Sequence, residues 1–113
     1  MSWDVYLEKD GKPVEVDRHE EGGTYAVGGT TVAELNLTYN YSPNFHAALG
    51  FPFRMLDGTL AENTIPNLEA AVQKLGTERA DDYWKATDGN AGFALNILLG
   101  WAKANPNARW RIS

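Results

Sequence analysis

The side chains best suited to recognising a ligand are concentrated at 22–45, GGTYAVGGTTVAELNLTYNYSPNF. Two glycine pairs, Gly22-Gly23 and Gly28-Gly29, precede a run of hydroxyls, tyrosines and carboxamides. Glycine permits backbone conformations and a closeness of approach that a side chain would block, and Thr, Asn and Tyr supply neutral donors and acceptors on short or rigid frames. That chemistry suits capture of a small polar molecule better than bond cleavage. The candidate ligand-binding residues are therefore Thr24, Tyr25, Gly28, Gly29, Thr30, Asn36, Thr38, Tyr39, Asn40 and Tyr41. A plainer explanation of the same residues makes the glycine pairs β-turns and the polar positions of 33–41 the wet side of an antiparallel sheet. Two asparagines in one short strand fit that explanation poorly, because asparagine is depleted in strands.

Several chemistries have no support in the sequence. No G-x-G-x-x-G opens a helix after a strand and no G-x-x-x-x-G-K-[ST] occurs, so a phosphate-cradling P-loop is excluded. With no cysteine there is neither a disulfide nor a thiolate ligand or nucleophile. None of Ser2, Ser42 and Ser113 sits in G-x-S-x-G. His19 and His46 are too few for a histidine metal site, although His19-Glu20-Glu21 and Asp81-Asp82 carry oxygen donors. The expectation is a binding protein with no catalytic residue, metal or cofactor. A small nucleotide hydrolase using His46 or His19 as a base is the enzymatic alternative, and a protein-binding inhibitor or adaptor that presents exposed Trp and Phe is the other.

Ten basic residues against fifteen acidic ones give a formal charge of -5, and an acidic surface repels the phosphate backbone on which nucleic-acid affinity depends. Long DNA or RNA is not an expected partner; the Arg109-Arg111 pair with Lys103 reads as a solvated helix end and tail. No apolar run approaches the roughly 18 residues of a membrane span. Met1-Ser2-Trp3-Asp4 lacks the basic start and apolar stretch of a signal peptide. The expected location is the cytoplasm.

The 113 residues, 43% hydrophobic and 22% charged, have the size of one domain over 1–113. Trp3, Val5 and Leu7 alternate with polar neighbours as in a half-buried strand, Asp10-Gly11 marks a tight hairpin, and Val14 and Val16 follow on the return. Alternation resumes over 33–41, with Leu35, Leu37, Tyr39 and Tyr41 on one face. A helical spacing of Leu37, Tyr41, Phe45 and Leu49 competes with it, and Ser42-Pro43 favours a strand followed by a short helix over 43–49. An apolar loop over 50–58 must fold against something. Thr64 is placed to cap the next helix, with Pro66 in its first turn and Gly76 at its end. Asp88 is placed to cap a last helix to about Ala104, apolar on nearly all sides and so expected to be central or buried between subunits of a homo-oligomer. Ala108, Trp110 and Ile112 predict a final edge strand. The fold class is α+β: a small, mainly antiparallel sheet with about three helices.

The segments Gly22-Gly-Thr-Tyr-Ala-Val-Gly-Gly-Thr-Thr31, Leu35-Asn-Leu-Thr-Tyr-Asn-Tyr41 and Asp82-Tyr-Trp-Lys-Ala-Thr-Asp-Gly-Asn-Ala91 together resemble a family of small uncharacterised proteins carried by phages and prophages. The resemblance implies work in the host cytoplasm: counter-defence, DNA-metabolism accessory function or regulation. Within that range, the size and the neutral polar-aromatic motif are compatible with sponges that sequester nucleotide signals of bacterial immune systems such as Thoeris and CBASS. The leading expectation is non-catalytic binding of a small nucleotide-like ligand.

Overall fold

The computed structural model of the chain describes residues 1–17, 31–82 and 85–113. Strand β1 (Ser2–Lys9) is the hub, pairing antiparallel with β2 (Lys12–Pro13), β3 (Glu34–Thr38) and β4 (Arg109–Ile112). The β1–β2 turn has positive φ at both Asp10 (56°) and Gly11 (79°), the backbone of a tight hairpin turn whose twist matches the strands. Beyond β2, Val14 N–H donates to Leu7 O and Val16 N–H to Thr31 O, which carries the pairing on to 31–33.

Alternation along the strands sorts the residues into two faces. Trp3, Val5, Leu7, Leu35, Leu37, Trp110 and Ile112 are buried in one core together with Phe45, Leu68, Leu95 and Leu98 from the helices. The other face carries Asp4, Tyr6, Glu8, Glu34, Asn36, Arg109 and Arg111, all exposed or half-buried. The described residues form a two-layer α+β domain with a four-stranded antiparallel sheet and three α-helices, as the hydrophobic spacing predicts. On the open face the Tyr6 phenol is raised above its usual pKa of 10.0, by burial first and then by the Glu34 and Asp4 carboxylates.

Helix α1 (Ser42–Leu49) starts at the Ser-Pro signal and ends at Gly50, whose φ of 84° is left-handed. Helix α2 (Ala61–Leu75) departs from expectation. It begins three residues before Thr64, and Pro66 lies inside it. No side chain caps its start; instead the backbone of the C-terminal segment does, with Ala61 N–H donating to Ala108 O (2.8 Å) and Glu62 N–H to Pro106 O (3.1 Å). Thr64 has another duty. Its buried hydroxyl donates to Ala61 O and accepts the indole N–H of Trp110 at 2.9 Å.

Helix α3 (Asp88–Ala104) is capped by Thr87, whose hydroxyl accepts from Asn90 N–H, and not by Asp88. Its apolar bulk is absorbed inside the domain: Ala91, Ala94, Leu95, Leu98, Leu99, Trp101 and Ala102 are buried, and Asn96, Gly100 and Lys103 form the exposed stripe. No helix among the described residues is long and apolar enough to cross a membrane.

Replacing Thr64 by Val keeps the side-chain shape and removes the acceptor for Trp110 Nε1. Thr64→Val should cost about 1–3 kcal/mol in urea unfolding while Thr64→Ser costs less; equal stability of wild type and the valine variant would show that the indole is satisfied otherwise. The neutral Tyr6 phenol adds stability that is complete below pH 10.0 and declines as pH rises through the raised folded value. In ultraviolet titration, Tyr6→Phe should therefore remove one tyrosine transition that lies above pH 10.0 in the wild type.

Candidate functional site

Trp3 near the start of β1 is the centre of an aromatic cluster. Its ring centroid lies 4.7 Å from Tyr39 in an edge-on arrangement, 4.9 Å from Phe53 and 5.8 Å from Phe45. Phe45 of α1 lies in turn 4.8 Å from Phe53 and 5.8 Å from Tyr41. Such contacts add to plain burial through their quadrupoles. They also bring three separate chain segments to one place. Residues 39–41 form a 3-10 turn after β3, and Phe53–Leu56 a second one within the apolar loop.

Between the two turns lies an open groove of about 370 Å³, lined by Trp3, Tyr39, Ser42, Pro52, Phe53 and Arg54. The rings of Trp3 and Phe53 form its packed floor, and half-buried Tyr39 leaves part of its ring accessible. Ser42 and Arg54 stand exposed at the rim. A planar ring on Tyr39 and an anionic group on Arg54, which offers a rigid fork of donors, is the combination these residues can hold.

Only part of the expected site converges here. Thr24, Tyr25, Gly28, Gly29 and Thr30 lie outside the described residues. Tyr39 lines the groove. Asn36 points to the open sheet face, where its Nδ2 donates to Ser2 Oγ (2.9 Å) and Asp4 Oδ1 (2.8 Å). Thr38, 2% exposed, accepts from Asn40 N–H at 3.2 Å and caps the 3-10 turn. Asn40 is exposed, and Tyr41 is at 0% exposure against Phe45. The expected wall of alternating residues does not form because the strand ends at Thr38: one turn of 3-10 helix replaces the two-residue period with a three-residue one. Trp3, Ser42, Phe53 and Arg54 were not singled out by sequence reasoning as a site. The signal for two of them was the apolar loop over 50–58, which had to fold against something and does so on Trp3.

A second groove, of about 300 Å³, lies across the same 3-10 turn and is lined by Phe51, Met55, Leu56, Thr59, Asn63, Thr64 and Asn67. Met55 is 65% exposed.

Tyr83 and Trp84 of the Asp82–Ala91 motif lie outside the described residues, and the rest of it is explained by packing. Asn90, 2% exposed, accepts from Ala80 N–H and donates through Nδ2 to the carbonyls of Asp82 and Lys85 (2.9–3.0 Å). A Cβ on Gly89 would overlap the carbonyl oxygen of Glu78, and one on Gly92 that of Gly76. The glycines let the backbone after α2 lie against the first turn of α3, and Asn90 satisfies its polar groups. Asp88 Oδ1 accepts from Asn44 Nδ2 at 2.9 Å, tying α3 to α1. His46 is exposed in the last turn of α1. Among the described residues no group of three or more His, Cys, Asp or Glu is placed to hold a metal ion.

Compared with known proteins, the chain matches no family model, no curated protein and no solved structure. The geometry of its own residues is what bears on function.

Replacing Asn90 leaves two carbonyls and an amide without their partner in a part-buried setting. Asn90→Ala should lower stability by at least about 2 kcal/mol while leaving any ligand affinity of the folded protein unchanged. A variant as stable as wild type that loses affinity would move Asn90 from the scaffold to the site.

Proposed function

We propose that this protein captures a small nucleotide-like ligand without converting it, in the groove between Tyr39 and Arg54. The observation that supports this reading is the pairing, on one aromatic floor, of a partly accessible ring with an exposed guanidinium and a hydroxyl. A nucleobase stacks on the ring, and a phosphate meets the guanidinium and Ser42 at the rim. The groove, about 370 Å³, is at the small end of ligand sites, which suits a mononucleotide or one half of a dinucleotide. The resemblance to phage-borne proteins makes sequestration of an immune signalling nucleotide the biological use we propose.

A second reading rests on a different observation. Met55 is a large apolar side chain exposed at 65% beside the second groove, and exposed methionine is adaptable contact surface for another protein. In that reading the chain is an inhibitor or adaptor.

Calorimetric titration with a panel of mono-, di- and cyclic nucleotides separates the two. Arg54→Ala should weaken binding by about 1–3 kcal/mol with little change in melting, Tyr39→Ala should weaken it while also lowering the melting temperature because its ring packs on Trp3, Met55→Asp should leave it intact, and the ligand should be recovered unaltered after heating the complex. Absence of binding to every nucleotide, together with loss of a protein partner in Met55→Asp, would replace the first reading with the second.

A further inference from the structure

We infer that the indole N–H of Trp3 reads the ligand in the groove between Tyr39 and Arg54, and that it selects a base with a carbonyl oxygen where adenine and cytosine carry an amino group. The inference deepens the function proposed above and rests on it. Trp3 is 7% exposed and lines the groove. Its ring is held by Tyr39, Phe45 and Phe53. Among the described residues its Nε1 has no hydrogen-bond partner, yet it is not sealed from solvent as Asn36 Oδ1 is. The Trp110 indole, by contrast, is spent on the Thr64 hydroxyl at 2.9 Å. A nearly buried donor without a partner is costly unless something meets it, and the groove is the opening that Trp3 lines.

The rest of the lining decides what that donor can accept as a partner. An indole N–H and a guanidinium only donate. Backbone acceptors around the groove are already taken: Tyr39 O by Ser42 N–H, Pro52 O by Met55 N–H (2.9 Å) and Arg54 O by Asp57 N–H (3.0 Å). Among the described residues no carboxylate or carboxamide lines the groove, and the hydroxyls of Tyr39 and Ser42 can each donate. The site is therefore rich in donors from floor to rim. A phosphate satisfies the rim at Arg54 and Ser42, which holds the sugar side of the nucleotide outward. The side of the ring remote from the sugar then reaches the floor. There uracil and hypoxanthine carry a carbonyl oxygen, whereas cytosine and adenine, of nearly the same shape, carry an amino group. The amino group would set donor against donor and leave the indole N–H covered and unpaired, the kind of mismatch that discriminates best.

In the free protein, NMR should show the Trp3 indole proton exchanging with water several times faster than that of Trp110. Calorimetric titration should place uridine monophosphate above cytidine monophosphate, and inosine monophosphate above adenosine monophosphate, by about ten-fold in affinity. Uridine monophosphate should also shift the Trp3 indole signal and slow its exchange, while inorganic phosphate, which meets only the rim, should do neither. Replacing Trp3 by benzothienylalanine puts sulfur in place of the N–H in a ring of nearly the same shape, and should make the two members of each pair bind equally. If that variant unfolds, the indole signal of the unaltered chain decides. Nucleotides bound without this preference, a preference that survives loss of the N–H, or a Trp3 indole that exchanges as slowly as Trp110 in the free protein overturns the inference and leaves the nucleotide reading standing. Failure of all four nucleotides to bind overturns both.

Discussion

The C-terminal segment takes the place of a cap for α2, and much of the structure hangs from that arrangement. Helix starts leave amides without internal partners, and here Ala61 and Glu62 find theirs in the carbonyls of Ala108 and Pro106. The same segment continues into β4, where Trp110 N–H donates to Thr59 O and accepts through its carbonyl from Gly58 N–H. Ile112 N–H is bonded to Asp57 Oδ1. Residues 57–60 are thus fixed along β4 on one side and lead into α2 on the other. The 3-10 turn immediately before them, Phe53–Leu56, is placed by these bonds and in turn holds Arg54 at the groove. The C-terminal segment therefore positions a groove-lining residue more than fifty positions away, through main-chain bonds that composition does not reveal.

The Trp110–Thr64–Ala61 relay explains why a polar side chain is tolerated in the core of this layer. A buried indole N–H without a partner is costly, and a threonine inside a helix can accept it while returning its own proton to the carbonyl one turn earlier. Asn90 solves the corresponding problem at the start of α3. Its carboxamide uses its oxygen for the Ala80 amide and both hydrogens for carbonyls, so the connection after α2 stays against the helix with those groups satisfied. Both devices put polar residues inside for structural ends, and both look like candidate site chemistry when read as a string.

That ambiguity decides how much was legible. The strands β1, β3 and β4, the Asp-Gly hairpin, α1 and the ends of α2 and α3 follow from periodicity and from Gly, Pro and Asn punctuation, because those signals are local. Thr64 and Asp88 misled in the same manner. Each is a good N-cap type beside a helix, yet α2 is capped by distant carbonyls and α3 by the adjacent Thr87. The polar alternation of 33–41 reads as one strand because nothing in the string marks Thr38 as its last residue. Its hydroxyl, bonded to Asn40 N–H, competes with the ladder and starts the 3-10 turn. The groove itself was only partly visible, since Tyr39 meets Arg54 through Trp3, and Trp3 reads as an ordinary inward strand residue.

Trp3 is what makes strand pairing and groove geometry one problem. Its position opposite Leu37 is set by the β1–β3 register, and a slip by one residue would turn its ring to the open face along with Val5 and Leu7. The hydrophobic alternation of β1 therefore protects more than core burial. It keeps an indole where Tyr39, Phe45 and Phe53 can close around it, and so sets the distance between the turn that presents Tyr39 and the turn that presents Arg54.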